Sequence, residues 1–383
     1  LFTAIVTFGY LYPMVEDDVK EQLRQLDAIK QTIEDFNNPN RMYERLGVDI
    51  LSIQIGQRLL DIADPEQDGQ LIDYIGALRQ RITDNLGYII PNIRILDCSK
   101  LKDNEYEISV RGCVVANGIV YPDRVMVLKK DWDKLDEKLP DDVIISNEPT
   151  FQTQAYWFQA YDIKDINVKK LNIVDVIIQH LEECVIKYSD EIITKTDVIK
   201  LMELVKTQDF NLVNDLIPTL ISTTDLKKIL VNLIKEKVSI KDINFVFEKL
   251  NDYARFSKEP DILSEMIRIS MSRKILAAIC DENKNLKAII INDELLNKLE
   301  KSIIKTPSTT KFSLNSDEIK EIINMAAQKI NQVQNKFNFT PVILTNSKTR
   351  LPFYRLICNV LPNIVVISDL ELSPEFNCEI IDI

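Results

Sequence analysis

Two side chains within one apolar stretch have the types and the spacing for nucleophilic chemistry. His180 lies in the run Ile177 to Leu181, and Cys184 follows four residues later. On a helix that is one turn, close enough for an imidazole to touch a thiol. A single Cys and His pair at this spacing has little specificity, and a structural or capping histidine is the favoured alternative. His180 is the only histidine of the 383 residues, which excludes a two-histidine metal site and leaves no second imidazole base. Asp61, Asp64, Glu66 and Asp68 form an acidic group just ahead of a helical pattern. A hard cation could use such oxygens, but the spacing is not that of an EF-hand loop. A helix dipole also draws acids to a first turn without any metal. All eight glycines fall between Gly9 and Gly118, against about 27 expected from average usage. No glycine-rich phosphate loop can therefore exist beyond residue 118, which rules out a P-loop or dinucleotide fingerprint there. These observations argue against an enzyme, and no cofactor or metal is called for.

Composition narrows the class further. The chain has 47 basic and 59 acidic side chains, a formal charge of −12, and 45% hydrophobic residues. That supports ordinary buried cores in two or three domains. The acidic balance argues against nucleic acid, whose phosphates are neutralised by Lys and Arg. The six cysteines are widely spaced with no paired-cysteine motif, as expected of reduced thiols in the cytosol.

The elements that must position these residues can be read from periodicity. Leu1 to Tyr12 is almost wholly apolar and stops at Pro13. Twelve residues cannot cross a bilayer, which needs about 20, so the segment is either the end of a longer membrane helix or a short buried element. Val19, Leu23, Leu26, Ile29, Ile33 and Phe36 form one apolar stripe on a charged helix from Glu16, a face that must dock on its own globular body or on a neighbouring subunit. Asn37 to Arg45 reads as linker. A small α/β domain begins near Val48. Ile50 to Ile55 alternates as a strand, and Asp64 caps a helix with Pro65 at its first position. Leu71, Ile75, Leu78, Ile82 and Leu86 form that helix's buried face until Gly87 ends it. Tyr88 to Leu96 and Tyr106 to Val110 read as strands, and Asn117 with Gly118 signals a hairpin turn. After Pro122 come apolar runs at Val125 to Leu128 and Val143 to Ile145. A dense aromatic patch follows, holding Phe151, Tyr156, Trp157, Phe158 and Tyr161, which is core unless part of it is exposed as a recognition site. From Lys169 to Cys280 the pattern is nearly all helical. Ser222 to Val238 and Ser239 to Phe256 form a helix pair, with Ser239 capping the second. A DNA-binding helix-turn-helix is the alternative there, opposed by Asp225, Glu236, Asp242, Glu248 and Asp252. The end returns to α/β order. Lys287 to Ile291, Pro341 to Thr345 and Ile364 to Ile367 read as strands, and Asp317 to Lys336 and Arg350 to Val360 as helices. Thr306 to Ser313 is a low-complexity loop.

Particular residues then add up. The sets Gly56, Gln57, Arg58, Leu59; Asp64, Asp68, Gly69, Leu71; and Leu86, Gly87, Tyr88, Pro91, Ile93, Arg94, Ile95 occur in order. So do Asn104, Tyr106, Ile108, Gly112, Val115, Ala116, Gly118, Pro122 and Pro149, Phe151, Ala155, Trp157. Glu236, Val238, Ile240, Asp242, Glu248 and Leu250 continue the series, which closes with Pro341, Val342, Leu344, Leu361, Pro362, Val365, Val366, Ser368, Leu370, Glu371 and Leu372. From Val48 to the C-terminus the chain resembles the cytosolic part of the FHIPEP family, the flagellar type III export-gate proteins of the FlhA type. Related proteins serve the injectisome.

That resemblance implies an α+β multidomain body below a bacterial inner-membrane domain, facing the cytoplasm. Residues 1–12 would end the last membrane helix and 13–47 would be a helical linker. Residues 48–122 with 173–192 would form a first α/β domain and 123–172 an inserted second. Residues 193–272 would be a helical third domain and 273–383 an α/β fourth. The resemblance implies no catalytic residue. It implies a nonameric ring, docking of export chaperone–substrate complexes, and contacts with the ATPase complex and the substrate-specificity switch protein. The family's docking residues fall on Glu148, Phe151 and Gln179, and its hinge glycine on Gly56. Here glutamate replaces an aspartate, Gln179 replaces a threonine, and Gln152 stands where glycine is usual. The remaining alternatives are the injectisome counterpart, a Cys/His hydrolase using Cys184 and His180, and a DNA-binding regulator using residues 222–256.

Overall fold

The computed structural model describes residues 47–381, apart from 65, 67, 68, 136, 307, 308, 338–340 and 362. The apolar segment 1–12, the striped helix from Glu16 to Phe36, Pro65 and Asp68 lie outside the described residues. The body formed from Ile50 onward is the one described here.

Its first sheet has the order β2-β1-β3-β4, with β1 at Leu51–Ile55, β2 at Ile93–Asp97, β3 at Glu105–Val110 and β4 at Cys113–Ile119. β1 and β2 are parallel, so the helix Leu71–Leu86 is their crossover connection. Its five buried residues are those that the periodicity marks, and Gly87 closes it in the left-handed conformation at φ 72°. The helix starts at Leu71 rather than beside Pro65. Asp64 instead accepts backbone N–H groups from Glu66 at its Oδ1 and from Gly69 at its carbonyl oxygen.

The expected hairpin at Asn117 and Gly118 is displaced. The strands β3 and β4 pair Val110 with Cys113, so the two-residue turn is Arg111 and Gly112, both at positive φ (49° and 79°). Asn117 and Gly118 lie within β4, where Gly118 faces Tyr106. A Cβ at Gly118 would come within 2.6 Å of the Tyr106 hydroxyl. The glycine therefore makes room for a ring rather than for a turn.

A second sheet, in the antiparallel order β5-β7-β6, comprises β5 Arg124–Leu128, β6 Ile144–Asn147 and β7 Gln154–Gln159. Strand β7 alternates strictly. Tyr156 and Phe158 join Val127, Trp132 and Ile163 in a small local core, while Ala155 and Trp157 join the main core. Most of the aromatic patch is therefore core, and Tyr161, 74% exposed, points outward. Reciprocal backbone hydrogen bonds between Met126 and Leu171 (2.8 and 2.9 Å) close the base of this segment.

Helices fill the middle. Ile173–Lys187, Lys195–Gln208 and Thr223–Lys235 each begin with a capping box, Asn172 with Asp175, Thr194 with Asp197, and Ser222 with Asp225. In the helix pair, Asp242 rather than Ser239 caps Ile243–Tyr253.

The last sheet, in the order β12-β11-β8-β13, is parallel throughout: β8 Asn285–Ile290, β11 Val342–Thr345, β12 Val366–Ser368 and β13 Asn377–Ile380. Both faces of β8, β11 and β12 are largely buried, as in a parallel sheet covered on two sides, whereas the edge strand β13 is largely exposed. Ile289, Ile343 and Val366 enter one cluster, and Leu286, Val342 and Ile367 the other. The loop expected at Thr306 to Ser313 includes β10, Thr310–Phe312, which pairs with β9, Ile303–Lys305. No described helix is long and apolar enough to cross a membrane.

Candidate docking cleft

Phe151 follows β6 in a tight turn that Glu148 builds. The Glu148 carboxylate is buried and accepts the N–H of Thr150 at 2.7 Å and of Phe151 at 2.8 Å, one on each oxygen. Its backbone carbonyl accepts the N–H of Gln152 at 3.0 Å. The carboxylate thus folds its own loop and fixes the backbone that carries Phe151. Gln152 adopts φ 57°, the left-handed conformation that favours glycine, which is why a glycine suits this position. Its side-chain amide donates to the Pro149 carbonyl at 3.0 Å.

Phe151 is half-buried and lines a cleft of about 490 Å³, within the range of ligand-binding clefts. Thr150 and, from β4, Val115 and Ala116 also line it, while His180, Cys184 and Lys187 come from the helix Ile173–Lys187. The lining is completed by Lys235 to Lys237 and, from the helix Arg350–Ile357 and the residue after it, by Tyr354, Arg355 and Cys358. Gln179 is half-buried one residue before His180 and is not among the residues lining this cleft. The structure joins Glu148 and Phe151 directly through the hydrogen bond that builds the turn.

The His180 and Cys184 pair is packed, not activated. The Tyr106 hydroxyl and His180 Nδ1 share a hydrogen bond of 2.8 Å, and the two rings meet edge to face. Burial lowers the His180 pKa to about 4 and pushes the Cys184 thiol up to about 12. At neutral pH this is a thiol beside a neutral imidazole, whereas a nucleophile needs the thiolate. Among the described residues, no group of three or more His, Cys, Asp or Glu side chains is placed to hold a metal ion. Gly56 has an ordinary extended conformation (φ −72°, ψ 167°). A Cβ there would fall on the Lys102 carbonyl oxygen and 2.7 Å from that of Asp103. This close approach of two backbones leaves no room for a Cβ at this position.

One group of residues escaped the sequence reading. Behind the cleft, Arg350 is fully buried and grips two carboxylates, Glu236 (2.5 and 2.9 Å) and Glu265 (2.5 Å from Nε). Arg268 bridges Glu236 at 3.1 Å and Glu371 at 2.9 Å. Burial pushes Glu236 upward, but Arg268 and Arg350 more than offset it and hold the carboxyl below its ordinary value. For Glu265, burial outweighs Arg350 and the pKa is raised. The partners lie 85 to 114 residues apart in sequence for Arg350, so no local pattern shows them. The one available signal is a cation in the first turn of a helix, where the dipole disfavours it.

A profile of the FHIPEP family matches residues 1–377. The flagellar biosynthesis protein FlhA of Bacillus subtilis is 26% identical over 383 residues, covering 98% of this chain and 55% of that protein. The chain thus spans about half the length of that relative. Among solved structures, the Chlamydia pneumoniae CdsV protein in complex with CdsO superposes with a TM-score of 0.73 at 21% identity, over 87% of this chain and 96% of that one. The nonameric EPEC SctV-C superposes at 0.68 and 19% identity, over 87% and 98%. At these identities the likeness shows the fold.

Proposed function

Because the chain belongs to the FHIPEP family, we propose that it is the cytosolic docking body of a bacterial flagellar type III protein export gate. It would receive export chaperones with their substrates and pass the substrates to a membrane channel. The observation that carries the docking site is the half-buried Phe151 ring on the wall of a 490 Å³ cleft, in a turn fixed by Glu148. An aromatic ring held in place before its partner arrives gives up little further freedom on binding, and it contributes apolar area where hot spots concentrate. The reading keeps the membrane attachment through residues 1–12, the linker 13–47, and the four-part division of the remainder. It also extends to assembly. The EPEC protein of the same fold is described as nonameric, and CdsV as a complex with CdsO, so a ring of nine chains and a further protein partner are part of the proposal.

Titrating a late-substrate export chaperone into the chain by calorimetry tests the site. Phe151→Ala is expected to weaken binding by about 2 kcal/mol, roughly thirtyfold. Unchanged affinity in a folded variant would overturn the assignment of Phe151. A second reading, an injectisome gate, is favoured by fold neighbours such as the EPEC protein, whereas the sequence relative cited is flagellar. Purifying the chain with its bound partners separates the two, according to whether flagellar or effector chaperones accompany it.

A further inference from the structure

The cleft beside Phe151 holds a polar atom that no other described residue uses. His180 is only 7% exposed, and what it exposes lines the cleft with Phe151 and Thr150. Its Nδ1 shares the 2.8 Å hydrogen bond with the Tyr106 hydroxyl. Its Nε2 has no hydrogen-bond partner among the described residues, and it is not closed off from solvent. Tyr106 decides which nitrogen carries the proton. That side chain is fully buried, and Nδ1 is the partner of its hydroxyl among the described residues. Were Nδ1 to hold the proton and donate it, the hydroxyl hydrogen would be buried without an acceptor, at a cost of about 1–3 kcal/mol. Tyr106 therefore donates to Nδ1. Burial keeps the ring neutral at neutral pH, so the imidazole proton sits on Nε2. The charges around it are mostly matched already: Lys235 holds Asp190 at 2.8 Å, Lys237 holds Glu183 at 2.6 Å and Arg355 holds Asp261 at 2.7 Å. What the cleft has left to offer beside the Phe151 ring is a neutral N–H donor.

We propose that His180 is a specificity-determining residue of the docking cleft, its Nε2–H donating to an uncharged carbonyl oxygen of the docking partner while an apolar side chain of the same segment packs on Phe151. This rests on the docking reading above and adds the chemistry of the partner. An aromatic ring accepts apolar groups from many directions, whereas a single donor in a confined cleft admits only a segment that brings an acceptor to it. A partner without that acceptor would leave the N–H buried and unpaired. A carboxylate suits the site less well, because it favours an imidazolium that burial against Tyr106 opposes. A carbonyl needs only the N–H.

His180 is the only histidine of the 383 residues, so histidine labelled with the heavy nitrogen isotope gives a single imidazole signal. NMR of the free chain at neutral pH is expected to show the proton on Nε2 alone. Adding the late-substrate export chaperone is expected to shift the Nε2–H resonance and to leave the ring singly protonated. In calorimetry with the same chaperone, His180→Met is expected to weaken binding about tenfold. His180→Gln, whose amide returns an N–H at similar reach, is expected to recover affinity to within about threefold of the parent. A proton on Nδ1 in the free chain, an Nε2 resonance that stays put in the complex, or a ring that becomes doubly protonated on binding would each overturn the inference, and none of these depends on a variant that folds. Unchanged affinity in a folded His180→Met would overturn it as well. Phe151→Ala reports on the docking reading separately. If it weakens binding while His180 stays unperturbed, the inference fails and the docking reading stands; if it changes nothing while Nε2 responds, the ring is not the anchor but the donor is.

Discussion

His180 sits where a charge would cost the fold. Its ring is buried against Tyr106, and its pKa falls from 6.5 to about 4. Between those values the unfolded chain binds more protons than the folded one, so stability declines as pH drops from about 6.5 to about 4. The whole of that decline is about 3 kcal/mol. His180→Gln removes this component, and urea unfolding at a series of pH values should show a shallower acid-side slope for the variant than for the parent. An identical slope would mean that the imidazole is not held neutral. Arg350 poses the opposite problem, a charge that the fold cannot lose. Arg350→Met strands Glu236 and Glu265 in the interior without the guanidinium they share. The expected cost is about 3–5 kcal/mol, measured by denaturant unfolding. A cost below about 1 kcal/mol would show that water reaches those carboxylates.

At the level of strands and helices, the sequence is legible wherever one face is buried and the period is clean. The five apolar positions of the helix Leu71–Leu86 are read directly and correctly, whereas the strand β7 and its alternation inside the aromatic patch are not. The turn between β3 and β4 shows where that legibility ends. Asn117 and Gly118 carry the stronger local turn signal, yet Arg111 and Gly112 make the turn. The register is set by packing of Val110, Ile108 and Tyr106 into the core, a non-local demand that overrides dipeptide preference. Gly112→Ala should therefore cost about 1–2 kcal/mol, because φ at that position is 79°. Asn117→Thr, at an exposed strand position, should stay within about 0.5 kcal/mol. Thermal melts of both variants check this, and the reverse order would restore the turn to Asn117. Part of the candidate site was legible in the same uneven way. Phe151 stands out as one aromatic in a dense patch, but nothing local tells that Tyr156, Trp157 and Phe158 bury while Phe151 stays half-exposed. The partners of Arg350 are invisible because each depends on elements that meet only in the folded chain.

For the whole molecule, the cleft is where segments distant in sequence converge, the Phe151 turn on one side and Lys235 to Lys237 with the helix Arg350–Ile357 on the other. The far wall is stiffened from behind by the buried Arg350 and Arg268 network, which ties the helices Thr223–Lys235 and Pro260–Ser270 to the last sheet. Phe151 itself is carried by a turn held by its own glutamate, beside β4 and the helix Ile173–Lys187. A buried ion-pair network beside a turn fixed by its own glutamate suits the docking role proposed above. Hydrogen–deuterium exchange of the chain with and without a bound export chaperone tests this claim most directly. Protection is predicted for the amides around Phe151, Lys187, Lys237 and Tyr354 together. Protection confined to other surfaces, with the cleft exchanging as in the free chain, would contradict it.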